Sequence, residues 1–188
     1  KRAAIIWFAF FAFALSAAFD TVHINPASAD SGTVTSSVTI SNSAPTLSGV
    51  LLQESNNTIP IILVETTTQA TIVKGLITDT NGDANITSAT ATIYRTSVAG
   101  AEACTANNAN CYIITSGNCT LEATDGNNDR NVTCTANLQY FADRTDDDTE
   151  TWTGFISATD GTAYGTGTDT EEVNTLQALN TAASISYG

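Results

Sequence analysis

Four cysteines are the residues whose chemistry the sequence constrains most. Cys104, Cys111, Cys119 and Cys134 lie within one short stretch, and none forms the C-x-x-C spacing typical of structural zinc sites. An even number of cysteines in a chain rich in Thr and Asn predicts two disulfides and an oxidising compartment. Three pairings are possible. We favour the local one, Cys104 with Cys111 and Cys119 with Cys134, because each bond would fix a loop or two adjacent strands.

Oxygen-bearing side chains alternate in a loop-like stretch. Asp79, Asn81 and Asp83 are two residues apart, and Asn85 continues the series. Hard cations such as Ca²⁺ bind several oxygen ligands, so calcium is the best cofactor hypothesis. The stretch lacks the Gly at the sixth position and the closing Glu of an EF-hand. The alternative is that Asn-Gly-Asp simply forms a hairpin turn.

Catalytic chemistry has little support in the sequence. The single histidine, His23, lies beside Asp20 and Asn25 in a linker, and no Ser-His-Asp or Cys-His relay is recognisable around it. Carboxylate pairs occur in turn-like runs, where solvation is their default role. We therefore expect a protein that is not an enzyme and has no catalytic residues.

The glycosylation sequons and the net charge of the chain restrict its possible functions further. N-x-S/T sequons begin at Asn56, Asn85, Asn118 and Asn131, and these are candidate glycosylation sites if the host modifies surface proteins. Acidic residues outnumber basic ones by 19 to 6. A chain this acidic repels phosphate backbones, so we expect no binding to nucleic acid.

The elements that would carry these residues begin with an apolar segment. Residues 3–19 read AAIIWFAFFAFALSAAF, in which Ser16 is the single polar residue. A helix that is apolar on every side is not an ordinary surface helix, and Pro26 prevents its regular continuation. We expect a hydrophobic α-helix in residues 1–22, a linker and first strand in 23–44, and a β domain in 45–188.

Three interpretations of the apolar segment remain open. It could be a secretory signal cleaved after Ala27-Ser28-Ala29. It could be a membrane anchor, although a segment of 17 residues spans only about 26 Å of a hydrocarbon core about 30 Å thick. It could also be a retained helix that is stored in the membrane and later packs against copies of itself in a filament.

Short strand patterns separated by turn signals follow the linker, which predicts a mainly β sandwich. Trp152 is expected in its core, and Tyr140 or Phe141 is expected to fix the corner before an acidic turn. The predicted strands cover residues 33–40, 46–52, 59–64, 70–78, 86–96, 111–115, 131–140, 150–158 and 167–174.

The β region resembles a known domain type. The stretches LITDTNGD at 76–83 and TWTGFISATDG at 151–161 resemble immunoglobulin-like domains of microbial surface proteins. This resemblance implies an immunoglobulin-like β-sandwich, preceded here by the hydrophobic helix.

The layout of the whole chain resembles a family of assembling proteins. The order of Lys1-Arg2, the apolar run and Thr-rich strands is similar to that of archaeal type IV pilins and archaellins. Bacterial type IV pilins carry a glutamate at the fifth mature position. This chain has Ile5 there if it starts at Lys1 and Trp7 if it starts at Ala3, so the resemblance is to the archaeal group.

The pilin resemblance implies a structural subunit of an extracellular pilus-like filament, built from copies of itself and held in the membrane before assembly. Residues 33–40 are then candidates for pairing with a neighbouring head. The alternative is a secreted or wall-associated immunoglobulin-like adhesin or surface-layer module, with residues 1–29 removed as a signal peptide. The residues expected in the filament core are Ile5, Ile6, Trp7, Phe8, Phe10, Phe11, Phe13, Leu15 and Phe19.

Overall fold

The computed structural model describes residues 41–146 and 149–175. Within these ranges the chain forms short strands joined by turns and by one-turn 3₁₀ helices. The strands are β1 Thr46–Glu54, β2 Ile61–Ile62, β3 Thr68–Thr78, β4 Ser88–Arg95, β5 Cys111–Ile114, β6 Cys119–Leu121, β7 Asp129–Gln139, β8 Trp152–Thr159, β9 Tyr164–Glu171 and β10 Val173–Asn174. The 3₁₀ helices are Asp83–Asn85, Ala101–Ala103 and Ser116–Asn118.

The strands build two antiparallel sheets of four strands each. The order is β1-β3-β7-β6 in the first sheet and β5-β4-β8-β9 in the second, while β2 and β10 form a small parallel ribbon. The longest pairing joins β3 to β7 from Thr68 opposite Gln139 to Thr78 opposite Asp129. The mainly β fold predicted from the sequence is confirmed. The helix predicted in residues 1–22 and the strand predicted at 33–40 lie outside the described residues.

Apolar side chains from both sheets meet in one core. In β3 and β7 the inward positions are filled by β-branched and aliphatic residues such as Val73, Ile77 and Val132, each at most 1 % exposed. In β8, Ile156 is fully buried. Burying each such side chain stabilises the fold by about 1.5–3 kcal/mol, so the interface between the two sheets contributes strongly to the head's stability.

Two glycines let the sheets approach closely. A methyl group added at Gly154 of β8 would lie 3.0 Å from Leu52 Cβ and 3.0 Å from a Val73 methyl. At Gly165, at the start of β9, an added methyl would overlap the Pro45 carbonyl oxygen. The backbone before β1 therefore packs directly against β9, and this contact closes one side of the sandwich.

Trp152 is fully buried, as expected. Its Nε1–H donates to the Asp143 carbonyl (2.7 Å), and its ring lies 6.0 Å from that of Tyr112. By contrast, Tyr140 and Phe141 remain 53 % and 52 % exposed and contact each other edge-on. The corner after β7 is therefore anchored by Trp152, and the expectation for Tyr140 or Phe141 is not met.

Two predicted strands have a different form in the structure, and one strand was not predicted. The strand predicted at 59–64 is reduced to the two residues of β2, which begin after Pro60, a residue that has no N–H for a ladder. The strand predicted at 167–174 is divided at Glu172 into β9 and β10. The three-residue β6 was not predicted, because three residues are too few to show alternation.

Candidate functional site

The two disulfides are the chemically defined feature of the head. Cys104 bonds to Cys111 across the loop that precedes β5, and Cys119 bonds to Cys134 where β6 and β7 lie side by side. These are the two pairs favoured from the sequence. A disulfide framework of this kind is typical of oxidising, extracytoplasmic compartments.

The predicted calcium loop follows β3 and contacts the turn that precedes β7. Asp79 is fully buried and Asp83 is 2 % exposed. The Asp79 N–H donates to the Asn128 carbonyl (2.8 Å), and Asp79 Oδ1 accepts from the Asn81 N–H (2.8 Å). Asp83 Oδ2 accepts from the Asp125 N–H (2.8 Å). The Asp83 carboxylate and the Asp79 main-chain N–H therefore join the two loops, while the Asp79 carboxylate accepts from Asn81 within its own loop. These contacts have a structural role.

Asn81 uses its amide group for another contact. Its Oδ1 accepts from the Ser43 N–H (2.8 Å), and its Nδ2 donates to the Ser41 carbonyl (3.4 Å). Asp79 Oδ2 is buried with no hydrogen-bond partner among the described residues. Within residues 41–146 and 149–175, no group of three or more His, Cys, Asp or Glu side chains is arranged to hold a metal ion. Calcium binding remains a prediction.

A second acidic region lies at the opposite end of the sandwich, around Arg95. The Arg95 Nε lies 2.6 Å from Glu150 Oε2, and its Nη1 lies 3.9 Å from Asp143 Oδ2. Glu150 also accepts from the Ser97 hydroxyl (2.7 Å). The arginine therefore joins the end of β4 to the segment before β8, and the adjoining carboxylates serve that junction.

Among the residues that the structure describes, Tyr112 and Asp160 have displaced pKa values. Burial raises the pKa of the Tyr112 phenol above its ordinary value, against the hydrogen bond from the Gln139 N–H. In the turn after β8, hydrogen bonds from the Ala163 N–H, then from Asn42, hold the pKa of Asp160 below its usual range. Both shifts are explained by fold-forming hydrogen bonds and burial.

All four sequon asparagines are exposed, but their amide groups are engaged differently. Asn85 Nδ2 donates to the Asn81 carbonyl (2.6 Å), and Asn131 Nδ2 donates to Glu122 Oε2 (2.6 Å). Asn56 uses its Oδ1 to accept from the Thr58 N–H (2.9 Å). Asn118 lies in the 3₁₀ turn that leads into β6. Glycosylation at these positions remains a prediction.

The side of the sandwich opposite β1 and β9 is open. β6 pairs with β7 only as far as Cys134, and β7 continues to Gln139. A groove with a volume of about 320 Å³ occupies the space that a longer β6 would fill. We call this space the edge groove. It is lined by Ala106, Asn108, Tyr112, Ile113, Ile114, Asn118, Thr135, Ala136 and Asn137.

Two hydrogen bonds show which main-chain groups of β7 face the edge groove. The Glu122 N–H donates to the Asn131 carbonyl (2.9 Å), and the Gln139 N–H donates to the Tyr112 hydroxyl (2.9 Å). Asn131 and Gln139 therefore turn their main-chain groups away from β3. Alternate residues of a strand share one direction, so Thr135 and Asn137 also present an N–H and a C=O to the edge groove.

Sequence reasoning did not find the edge groove, because it depends on how far β6 extends along β7. The residues predicted for a filament core and His23 lie outside the described residues. In the described part of the chain no helix is long and apolar enough to cross a membrane. No family model matches the chain, and comparison with curated proteins found no match.

Proposed function

We propose that this protein is a non-catalytic structural subunit of an extracellular, pilus-like filament. One observation carries the proposal: a 17-residue apolar run is followed, after a short linker, by a β head that contains two disulfides. In the assembled fibre the apolar segments pack together in the centre and the heads form the outer surface. Before assembly the same apolar segment holds the subunit in the membrane.

The head suits an outer surface exposed to the medium. Its two disulfides support an oxidising location. Residues 41–188 hold 17 of the 19 acidic residues and four of the six basic ones, and a high net charge favours solubility. Each of these properties supports display outside the cell.

The strand order supports an immunoglobulin-like assignment of the head. The sheets β1-β3-β7-β6 and β5-β4-β8-β9 correspond to the ABED and CFG sheets of immunoglobulin domains, with β5 as an added edge strand. Hairpins join β4 to β5, β6 to β7 and β8 to β9, and the connections between these hairpins cross from one sheet to the other. Such a domain is a scaffold on which many functions occur, so the filament role depends on the apolar segment.

The alternative function is a secreted immunoglobulin-like surface module. The Ala27-Ser28-Ala29 sequence after the apolar run favours it, because small residues in an A-x-A arrangement are typical of signal-peptidase sites. In that case residues 1–29 are removed and the head acts as an adhesin or a surface-layer component.

Immunogold electron microscopy of intact cells with antibodies to the head tests the proposal. We expect label along thin filaments that extend from the cell. Diffuse label over the envelope, with no filaments, would contradict the proposal and support the alternative.

A pair of substitutions separates the two functions independently of microscopy. Ala29→Phe places a bulky residue where signal peptidase requires a small one, whereas Ser28→Phe changes the tolerated middle position. The filament proposal predicts the same processing and surface display for both variants. An uncleaved, membrane-retained form for Ala29→Phe alone would identify a cleaved signal peptide.

A further inference from the structure

The edge groove presents an incomplete hydrogen-bond ladder. Thr135 and Asn137 direct main-chain groups toward the line that β6 would occupy, and β6 ends its pairing at Cys134. Unpaired strand edges readily accept another strand. From this geometry we infer that the edge groove accepts residues 33–40 of a second copy of this chain as an added β-strand. The inference rests on the proposed filament function and identifies the contact between subunits.

The groove suits an uncharged strand with one apolar face and one polar face. None of the nine residues that line it is charged. Tyr112 and Ile114 are buried behind the opening, Ala136 packs against the core, and Ile113 at the rim is 52 % exposed. A strand seated here would extend the first sheet and bury apolar side chains against these residues.

Residues 33–40 fit these requirements. The sequence TVTSSVTI contains no charge. In an extended strand Val34, Val38 and Ile40 fall on one face, together with Ser36, and the other face carries only hydroxyl residues. The apolar face would meet the groove, and the hydroxyl face would remain in solvent beside the outward side chains of Thr135 and Asn137.

Charge also favours this segment over the surface of another head. Residues 41–188 carry a net charge of −13, so two heads repel each other when they meet face to face. An uncharged strand inserted into an uncharged groove joins two subunits, and no like charges are brought together at this contact.

The position of Ser41, the first described residue, favours donation from a neighbour. Ser41 contacts Asn81, just beyond the end of β3 where Thr78 pairs with Asp129. The groove residues of β7 begin at Thr135, about 20 Å farther along the strand at about 3.4 Å per residue. An extended segment of eight residues reaches about 27 Å, so within one chain most of it would be used to approach the groove.

The contact between donor strand and groove is heterologous, because two different surfaces meet. Each subunit offers one donor segment and one groove, so the contact repeats without closing and generates a fibre. Main-chain hydrogen bonds from the added strand would supply affinity, and the alternating side chains would set its register. The head contacts would then reinforce the packing of the apolar segments.

Cysteine cross-linking in the full-length chain, expressed in its own host, tests this inference. Double variants combine a cysteine on the hydroxyl face of the donor (Thr35→Cys, Ser37→Cys or Thr39→Cys) with Thr135→Cys or Asn137→Cys. Opposed side chains of adjacent strands lie about 4.5–5.5 Å apart at Cβ, which is within reach of disulfide formation. We expect at least one pair to give a ladder of covalent multimers on non-reducing gels of sheared filaments.

Two controls show whether the ladder reports this contact. Each variant with only one added cysteine should run as a monomer. This result would show that the added cysteines do not exchange with the native disulfides. Ser37→Cys combined with Thr168→Cys should also run as a monomer, because Thr168 is exposed on β9 at the opposite side of the sandwich.

A face-specific pair of substitutions gives a second, independent measurement. Val38→Asp places a charge on the face that would enter the groove, whereas Ser37→Asp places it on the solvent face. We expect loss of filaments for Val38→Asp and retention for Ser37→Asp. In both proteins the two native disulfides, checked by mass spectrometry, should be intact and show that the head has folded.

The outcomes separate this inference from the proposed function. Filaments that form without any cross-linked ladder, or that tolerate Val38→Asp, would overturn strand donation while leaving the filament function intact. Absence of filaments from the unmodified strain would overturn the proposed function and strand donation together.

Discussion

Removal of the Cys119–Cys134 disulfide is the perturbation whose magnitude follows most directly from the structure. This bond joins two strands that pair over only three positions, Cys119 to Leu121 on β6, and it closes a loop with a sequence separation of 15. It also borders the edge groove at the point where β6 ends its pairing with β7. Its loss should therefore lower the stability of the whole head and release β6 from β7.

The chain-entropy relation gives the expected size of the effect. A closed loop of 15 residues limits the unfolded chain enough to stabilise the fold by about 3 kcal/mol. The Cys104–Cys111 bond, with a separation of 7, gives about 2.3 kcal/mol by the same relation. In a chain of this length each kcal/mol shifts Tm by about 2–4 °C, so loss of the longer loop should lower Tm by about 6–12 °C.

The assay compares Cys119→Ala/Cys134→Ala with Cys104→Ala/Cys111→Ala in the full-length chain in mild detergent. Urea unfolding followed by circular dichroism reports the free energy of unfolding for each variant. Cys104→Ala/Cys111→Ala removes two buried cysteines, whereas Cys119→Ala/Cys134→Ala removes the buried Cys134 and the half-buried Cys119. Packing losses therefore act against the loop-length difference, and a larger loss for Cys119→Ala/Cys134→Ala reports loop length. A loss below about 1 kcal/mol for Cys119→Ala/Cys134→Ala, against the value above, would refute the reasoning.

Three further predictions concern the sandwich. Gly154→Ala should destabilise the head by about 1–3 kcal/mol through overpacking between the sheets, whereas Gly117→Ala, with no atom within 4 Å of its new methyl, should leave Tm unchanged. Tyr112→Phe should cost about 1–3 kcal/mol in urea unfolding, because the buried phenol bridges Gln139 and the loop before β5. The pKa of Asp160 is lower in the folded than in the unfolded state, so its stabilising contribution is present above pH about 4 and is lost as pH falls through the folded pKa. Asp160→Asn should therefore reduce the acid dependence of stability, and an unchanged acid limb would contradict the assigned hydrogen bonds.

Much of the head could be predicted from local sequence patterns. Stretches of strand-forming residues between turn signals predicted β3 and β7. The cysteine spacing favoured two local bonds, and the structure has these pairs. The burial of Trp152 followed from its size and its place in a strand. These features depend on a few neighbouring residues, which a single sequence displays.

Features that depend on contacts between distant strands and loops could not be predicted from local sequence patterns. The edge groove exists because β6 stops opposite Cys134 while β7 continues, and strand length at an edge has no periodic signature. The hydrogen bond from the Asp125 N–H to Asp83 joins residues 42 positions apart. The calcium hypothesis considered each acidic turn alone and so did not anticipate that Asp79 and Asp83 serve the junction between two loops.

The same distinction applies to Tyr140 and Phe141. Two adjacent aromatic residues before a turn suggested a buried corner, but the alternation of β7 ends with Leu138 as its last buried residue. The position that could anchor the corner was already filled by Trp152, whose indole N–H reaches the Asp143 carbonyl. Which aromatic side chain is buried depends on competition between distant segments for one core position. Local sequence patterns do not reveal that competition.

Mass spectrometry of the N-terminus of protein sheared from the cell surface tests the central claim most directly. The filament account predicts that the exported protein retains residues 3–19, with a start at or near Lys1 or Ala3. A start at or near Asp30 would contradict it, because the apolar segment would then be a discarded signal and could not form a fibre core.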